Sequence, residues 1–429
     1  HYVMIDSTTL PCTTKRHRMK QVVIWLLLLC VAGCDQAPVP AQPLPAAVDF
    51  TGDPATHPEK INDHLIHSAL DSHVQACASA EALQSAITTL IDHPNPFTLA
   101  ASRDAWRDSY SSFLRARLYG FLPVTDPVEW QRQGLSYHQT LSLIDSWPIE
   151  GGYIDYLPGY PFTGIVNDLT LPLSSDTLQQ QHGFADPASV SLGFHVIEFL
   201  LWGSDGQRSA SDYLRTETIT AVAGSSSNKN TATHADNTAD NHLNKDTPPG
   251  VINQDRRRQY LQLVTAQLLD HLRRLQRRWE RDTGYYARLV ASSTPAAALQ
   301  AGMSASARLI RTELLEKRLS GNSSEFSASS QQDSLALLQG MQLWLLGSES
   351  HPGALVPLLS TTQPDLLMQW QTTLAQALTP ATEAATTNAG ASDTTETPAA
   401  TLLIHNIEQL DTLLQQTASV LRLTLPDTH

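Results

Sequence analysis

The segment 253–281 constrains this chain most. Leu261, Val264, Leu268, Leu272, Leu275 and Trp279 recur there at steps of three and four, the period of one apolar stripe along a long helix. Runs with the same period cover 60–90, 101–119, 302–319, 333–346 and 401–422, and no alternating run of useful length marks a strand. Aromatic residues are only 7% while Leu and Ala are abundant, which favours helix as well. The fold class expected is therefore all-α. At 429 residues and 41% hydrophobic, the chain suits about two units of roughly 150 residues each.

Charge narrows the partners. The formal net charge is −14, so nucleic acid is not expected as a partner. Eight Arg, at 256, 257, 258, 273, 274, 277, 278 and 281, fall mostly off the stripe of the 253–281 helix. They read as a solvated face, with a lipid-headgroup or nucleic-acid patch as the alternative.

The N-terminus points to a membrane surface. Residues 19–34 read MKQVVIWLLLLCVAGC, with Lys20 before ten apolar residues. A spanning helix needs about 20, so this is read as a signal-peptide core. Val31-Ala32-Gly33-Cys34 resembles the bacterial lipobox, which implies cleavage before Cys34 and a lipid on its sulfur. Loss of residues 1–33 would remove four cations and one acid and move the net charge to −17. Cys77 would then be the one unmodified cysteine, with no partner for an intramolecular disulfide, and is expected to be a small buried residue.

Composition marks the segments. Residues 1–33 are read as an upstream extension with the signal peptide, and 34–58 as a Pro/Ala tether. Helical bundles follow at 59–223 and 251–429, joined by a low-complexity linker at 224–250. A second such stretch, a disordered insertion, is expected near 380–399. Residues 147–173 hold four Pro and four Gly and are read as an ordered loop or short turns.

The chemistry concentrates at 193–198. His195 and Glu198 are three apart in an apolar helical segment, so they share one face. An imidazole and a carboxylate on one face can ligate a divalent or ferric ion, or form a buried hydrogen-bonded pair. Gly193 just before them would admit another backbone or a ligand close by. No HExxH, GxSxG, Walker or CxxCH motif occurs.

Gly193-Phe194-His195-Val196-Ile197-Glu198, followed by Phe199-Leu200-Leu201-Trp202-Gly203, resembles the GxHxxE signature and tail of the imelysin family, which is also filed as a peptidase family. Ala105-Trp106, Trp147-Pro148 with Gly152-Tyr153-Ile154-Asp155-Tyr156, and 313–318 with 324–327 resemble further segments of that family. The resemblance covers about 60–420. It implies two helical-bundle halves related by duplication and a secreted or lipid-anchored envelope protein linked to iron acquisition. Two departures stand out: Phe326-Ser327 continues as Ala328-Ser329-Ser330 where the family reads FSDNT, and 114–117 lack the family's early-helix Glu.

An internal comparison supports a duplication. EFLLWGSD at 198–205 matches QLWLLGSE at 342–349, placing Gln339 opposite His195 and Gln342 opposite Glu198. A second copy that keeps the apolar pattern and loses both ionisable groups points to a function for the pair. Two ligands are too few for a tight site, so the 147–173 loop is expected to add Asp155 first and Glu150 second. The function expected is capture of a metal ion or metal-containing ligand by a periplasm-facing lipoprotein. Iron is the expected metal, with zinc or haem as alternatives, and an iron transporter or other envelope protein is the expected partner. A metal-dependent peptidase and a non-catalytic scaffold are the competing readings.

Overall fold

The structure, a computed structural model, describes residues 60–215, 252–319, 323–348, 351–387 and 398–426. The expected signal peptide, Cys34, the tether and the 224–250 linker lie outside the described residues. Every regular element among the described residues is helical, as expected. Two isolated β-bridges, Leu157 with Tyr160 and Gly347 with Pro352, occur in turns.

Helix α1 (Lys60–Asp92) buries Leu65, Ala69, Ala76, Ala80, Leu83, Ile87 and Leu90 at helical spacing. The chain then reverses through His93-Pro94-Asn95 into α2 (Pro96–Ala116). Asn95 starts α2 with a capping box: its side chain accepts from the Phe97 and Thr98 amides while Thr98 answers its backbone N–H, and Pro96 fills the first turn. The two helices pack along each other. Next come α3 (Tyr137–Asp145) and α4 (Phe194–Trp202), separated by the Pro/Gly-rich stretch, which forms short turns around one helical turn at Gly151–Ile154.

Beyond the linker, α5 (Gln254–Arg277) carries the apolar stripe, and each of its residues is buried. Helix α6 (Pro295–Arg308) runs directly into an 11-residue π-helical segment, Leu309–Leu319. After it come α7 (Ser330–Leu345), α8 (Pro364–Thr387) and α9 (Pro398–Val420). Helix α5 packs on α1, and α7 packs on α2. Elements from both sides of the linker thus share one apolar core. Asn62 of α1 adds a polar tie, donating to the carbonyls of Val290 (2.7 Å) and Ser293 (2.8 Å).

Two expectations need correction. Helix α8 continues through 380–387, the first part of the disordered insertion expected near 380–399, of which 388–397 lie outside the described residues. Pro380 sits inside that helix, and Ala381 packs fully into the core. Alanine has the highest helix propensity, and this packing extends the element past the proline. The solvated arginine face is also wrong for part of α5 and its continuation. Arg257, Arg258 and Arg278 are buried, each beside an acid: Asp155, Asp255 and Asp126 respectively. Arg256 donates to the carbonyls of Ile165, Val166, Asp168 and Leu171, fastening the Pro/Gly-rich stretch to α5. Guanidinium groups suit such burial because a rigid, weakly hydrated fork of five donors can reach an acid and carbonyls together.

Candidate metal centre

Gly193 sets the geometry of the site. It caps the start of α4 at φ 101° and ψ −175°, a conformation essentially restricted to glycine. A Cβ there would lie 2.5 Å from the Ile144 carbonyl oxygen. The close approach permitted is therefore to backbone, at the C-terminal end of α3. It brings Asp145 beside His195.

His195 is fully enclosed, with a carboxylate at each ring nitrogen. Nδ1 lies 2.8 Å from Glu198 Oε2, and Nε2 lies 3.3 Å from Asp145 Oδ1. Tyr110 Oη of α2 lies 3.2 Å from the same Nε2 and donates to Asp145 Oδ1 at 2.8 Å. The Trp147 ring packs on the imidazole with centroids 4.8 Å apart. Trp106, one turn before Tyr110, donates its indole N–H to the Phe194 carbonyl at 2.9 Å and so holds the first turn of α4 against α2.

The remaining partners come from beyond the linker. The Ser327 amide (2.9 Å) and hydroxyl (2.6 Å) both donate to Glu198 Oε1. The π segment contributes Lys317, whose Nζ lies 3.4 Å from Asp145 Oδ2, and Arg318, which donates to Tyr110 Oη at 3.0 Å. Arg318 also pairs with Asp333 of α7 at 2.9 Å, and Glu313 pairs with Arg117 at 2.7 Å. The i→i+5 ladder shifts side chains around the helix relative to α geometry. Glu313, Lys317 and Arg318 all take part in this network.

Burial disfavours the charged forms of His195, Asp145 and Asp333, and the neighbours decide the outcome. At His195 the hydrogen bonds and charges of Asp145 and Glu198 outweigh burial, holding its pKa above the ordinary 6.5. At Asp145 burial is overcome by Lys317, His195 and Arg318, which hold the carboxyl well below its usual range. Asp333 shows the opposite balance: burial lifts it to about 6 in spite of Arg318.

The expected ligands divide. His195 and Glu198 come together, with Glu198 on the Nδ1 side. Asp155 is fully buried in a separate ion pair, bonded to Arg257 at 2.6 and 3.0 Å and to Arg208 at 2.8 Å. Glu150 is exposed at the start of the Gly151–Ile154 turn and makes no side-chain cap. Neither bonds to His195. The acid at Nε2 is Asp145, which the sequence reading did not select although it stands two residues before Trp147-Pro148. Phe326-Ser327 survives from the altered FSDNT segment, and Ser327 is the residue that anchors Glu198. Among the described residues, no group of three or more His, Cys, Asp or Glu side chains is placed to hold a metal ion.

Two clefts flank the network. One, of about 440 Å³, is lined by Asp145, Trp147, Arg117 and His138. The other, of about 740 Å³ between α2 and α7, is lined by Ser327, Arg107, Arg115 and Gln339. Asp104 and Asp108 of α2 lie on the wall of the second. Cys77 is buried as expected, and burial pushes its thiol up to about 11. Trp202 and Trp344 are core residues.

No curated protein matches this chain at significance. Solved structures share its fold, among them two bacterial proteins. One is an imelysin-like protein from Psychrobacter arcticum 273-4, 14% identical, with a TM-score of 0.55 over 87% of this chain and 99% of that one. The other, from Parabacteroides distasonis ATCC 8503, is described as an iron-regulated protein A precursor. It is 15% identical, with a TM-score of 0.54 over 88% of this chain and 98% of that one. The family model for imelysin (peptidase M75) matches residues 69–418. With that match spanning most of the sequence, the chain belongs to the imelysin family.

Proposed function

We propose that this protein captures a metal ion or metal-containing ligand at the cell envelope, with iron as the cargo. One observation carries the reading: a buried imidazole faces an acid in the wall of an open cleft and is braced from behind by a second acid. His195 Nε2 and Asp145 Oδ1, 3.3 Å apart, are a nitrogen and an oxygen donor of the kind that ligates iron or zinc. Glu198, on Nδ1 and itself held by Ser327, orients the ring as carboxylates behind ligating histidines do. The name of the Parabacteroides relative, iron-regulated protein A precursor, supports iron.

The lipobox-like Cys34 and the Pro/Ala tether support a lipid-anchored protein facing the periplasm, with an iron transporter or another envelope protein as partner. Among the described residues, no helix is long and apolar enough to cross a membrane. A duplication with loss of the second ionisable pair remains part of the proposal. Helices α4 and α7 are each followed by a left-handed glycine, Gly203 and Gly347, and Gln339 accepts from Arg115 rather than joining a buried charge network.

The test is calorimetric titration of the chelator-free protein with ferrous, ferric, zinc and copper ions, beside the His195→Ala/Glu198→Ala variant. Saturable binding near one ion per chain, lost in a variant that still melts cooperatively, supports capture. Peptide turnover that disappears in His195→Ala would instead favour a peptidase. Equal or absent binding in both proteins, without turnover, leaves the scaffold.

A further inference from the structure

Three donor atoms from three separate helices meet on the Nε2 side of His195. Tyr110 Oη and His195 Nε2 are 3.2 Å apart, Nε2 and Asp145 Oδ1 are 3.3 Å apart, and Oη and Oδ1 are 2.8 Å apart. Neighbouring ligands around an ion with bonds of about 2.0–2.2 Å stand roughly 3 Å from each other. The three atoms thus already have the spacing of one face of a coordination shell. Because, among the described residues, His, Cys, Asp and Glu alone make no group of three, a third donor from these residues has to be of another type, and Tyr110 supplies an oxygen at that spacing.

The surroundings of Tyr110 go beyond what packing requires. A phenol buried only for its ring needs one hydrogen-bond partner. This one donates to Asp145, faces His195 and accepts from Arg318 at 3.0 Å, and the same guanidinium lies over its ring at 5.5 Å. Arg318 donates to the oxygen and can stay bonded to it when an incoming metal ion displaces the phenol proton to solvent. On the far side of the imidazole Glu198 occupies Nδ1, leaving Nε2 as the nitrogen turned to Tyr110 and Asp145. The cleft that reaches Asp145 offers an entry route.

Building on the metal-capture reading, we infer that Tyr110 is the third protein ligand, bound as a phenolate, and that the site prefers a hard trivalent cation, ferric iron, over divalent zinc. Two anionic oxygens and one imidazole favour the higher charge, and no soft sulfur donor is present to favour other metals.

The experiment titrates the full chain, free of chelator, with ferric nitrilotriacetate and separately with zinc, following heat and visible absorbance together. The expected result is a phenolate-to-iron charge-transfer band saturating near one ion per chain. Tyr110→Phe should abolish the band and weaken ferric binding roughly tenfold or more, with zinc binding retained. Resonance Raman excitation within the band of the unaltered protein reports tyrosinate ring modes directly, so the inference is testable even where the buried substitution impairs folding. Saturable ferric binding without a band, or a band unchanged in a folded Tyr110→Phe protein, overturns the assignment of Tyr110 and leaves metal capture standing. Tighter zinc than ferric binding overturns the trivalent preference. Absence of saturable binding for every ion fails the capture reading, and this inference with it.

Discussion

Gly193→Ala tests how the site is assembled, and Gly203→Ala supplies its control. The two glycines bracket α4 and share nearly the same backbone conformation, φ 101° and ψ −175° at Gly193 and φ 73° and ψ −177° at Gly203. An alanine at either pays a similar conformational penalty, on the order of 1–3 kcal/mol. They differ in the space available. A Cβ at Gly203 would meet nothing closer than 3.6 Å, whereas one at Gly193 would sit 2.5 Å from the Ile144 oxygen and 2.9 Å from its carbonyl carbon. Both are backbone atoms and cannot swing aside. Relief requires α4 to move away from the end of α3, which adds overpacking strain of about 1–3 kcal/mol. It also opens the 3.3 Å contact between His195 and Asp145. Urea denaturation of the two variants isolates the steric part as their difference. Gly193→Ala should be less stable than Gly203→Ala by about 1–3 kcal/mol and should bind metal more weakly in the titration above. Equal stability for the two variants would refute the claim that backbone contact at Gly193 positions the site.

Other outcomes follow from the same geometry. Asp155→Ala leaves Arg208 and Arg257 buried without their shared acid, so denaturation should show a loss of about 3–5 kcal/mol. Whatever folds should bind metal normally, and loss of binding without loss of stability would return Asp155 to the ligand set. Ser327→Ala removes the hydroxyl from Glu198 but keeps the amide bond; it should cost about 1.5–3 kcal/mol, and an unchanged urea midpoint would dismiss Ser327 as the anchor of Glu198. Burial lowers His73, His182 and His271 to about 4. Between about pH 6.5 and 4 the unfolded chain takes up protons that the native protein excludes, so stability falls with pH through that window. Asp333, raised to about 6, and Glu325, also raised by burial, oppose this, while His64, lowered by burial like the other three imidazoles, adds to it. Melting temperatures that hold steady from about pH 7 to pH 5 would contradict the balance.

Helical period and the HxxE spacing were legible because both are local. Residues three or four apart share a helix face whatever the helix packs against, so the stripe of α5 and the pairing of His195 with Glu198 could be read directly from the sequence. The choice of Asp155 failed for a reason equally physical. Asp155 stands in the right stretch, but its arginine partners are remote in sequence: Arg208 and Arg257 arrive from 53 and 102 residues away. The same blindness made Arg257 look like surface charge.

The sequence by itself determined the all-α class, the resemblance to a helical family and the residue at the centre of the site. Each rests on periodicity or on a contiguous motif. Only the tertiary structure decided which groups surround His195. Tyr110 lies 85 residues before it, and the Ser327 that anchors Glu198 lies 129 residues after its partner, so their convergence depends on how α2, α3, α4 and the π segment pack. The protonation of the network is settled at that same level. Desolvation and the opposing pull of Asp145, Glu198, Lys317 and Arg318 are properties of the packed core, and no single stretch of chain contains them.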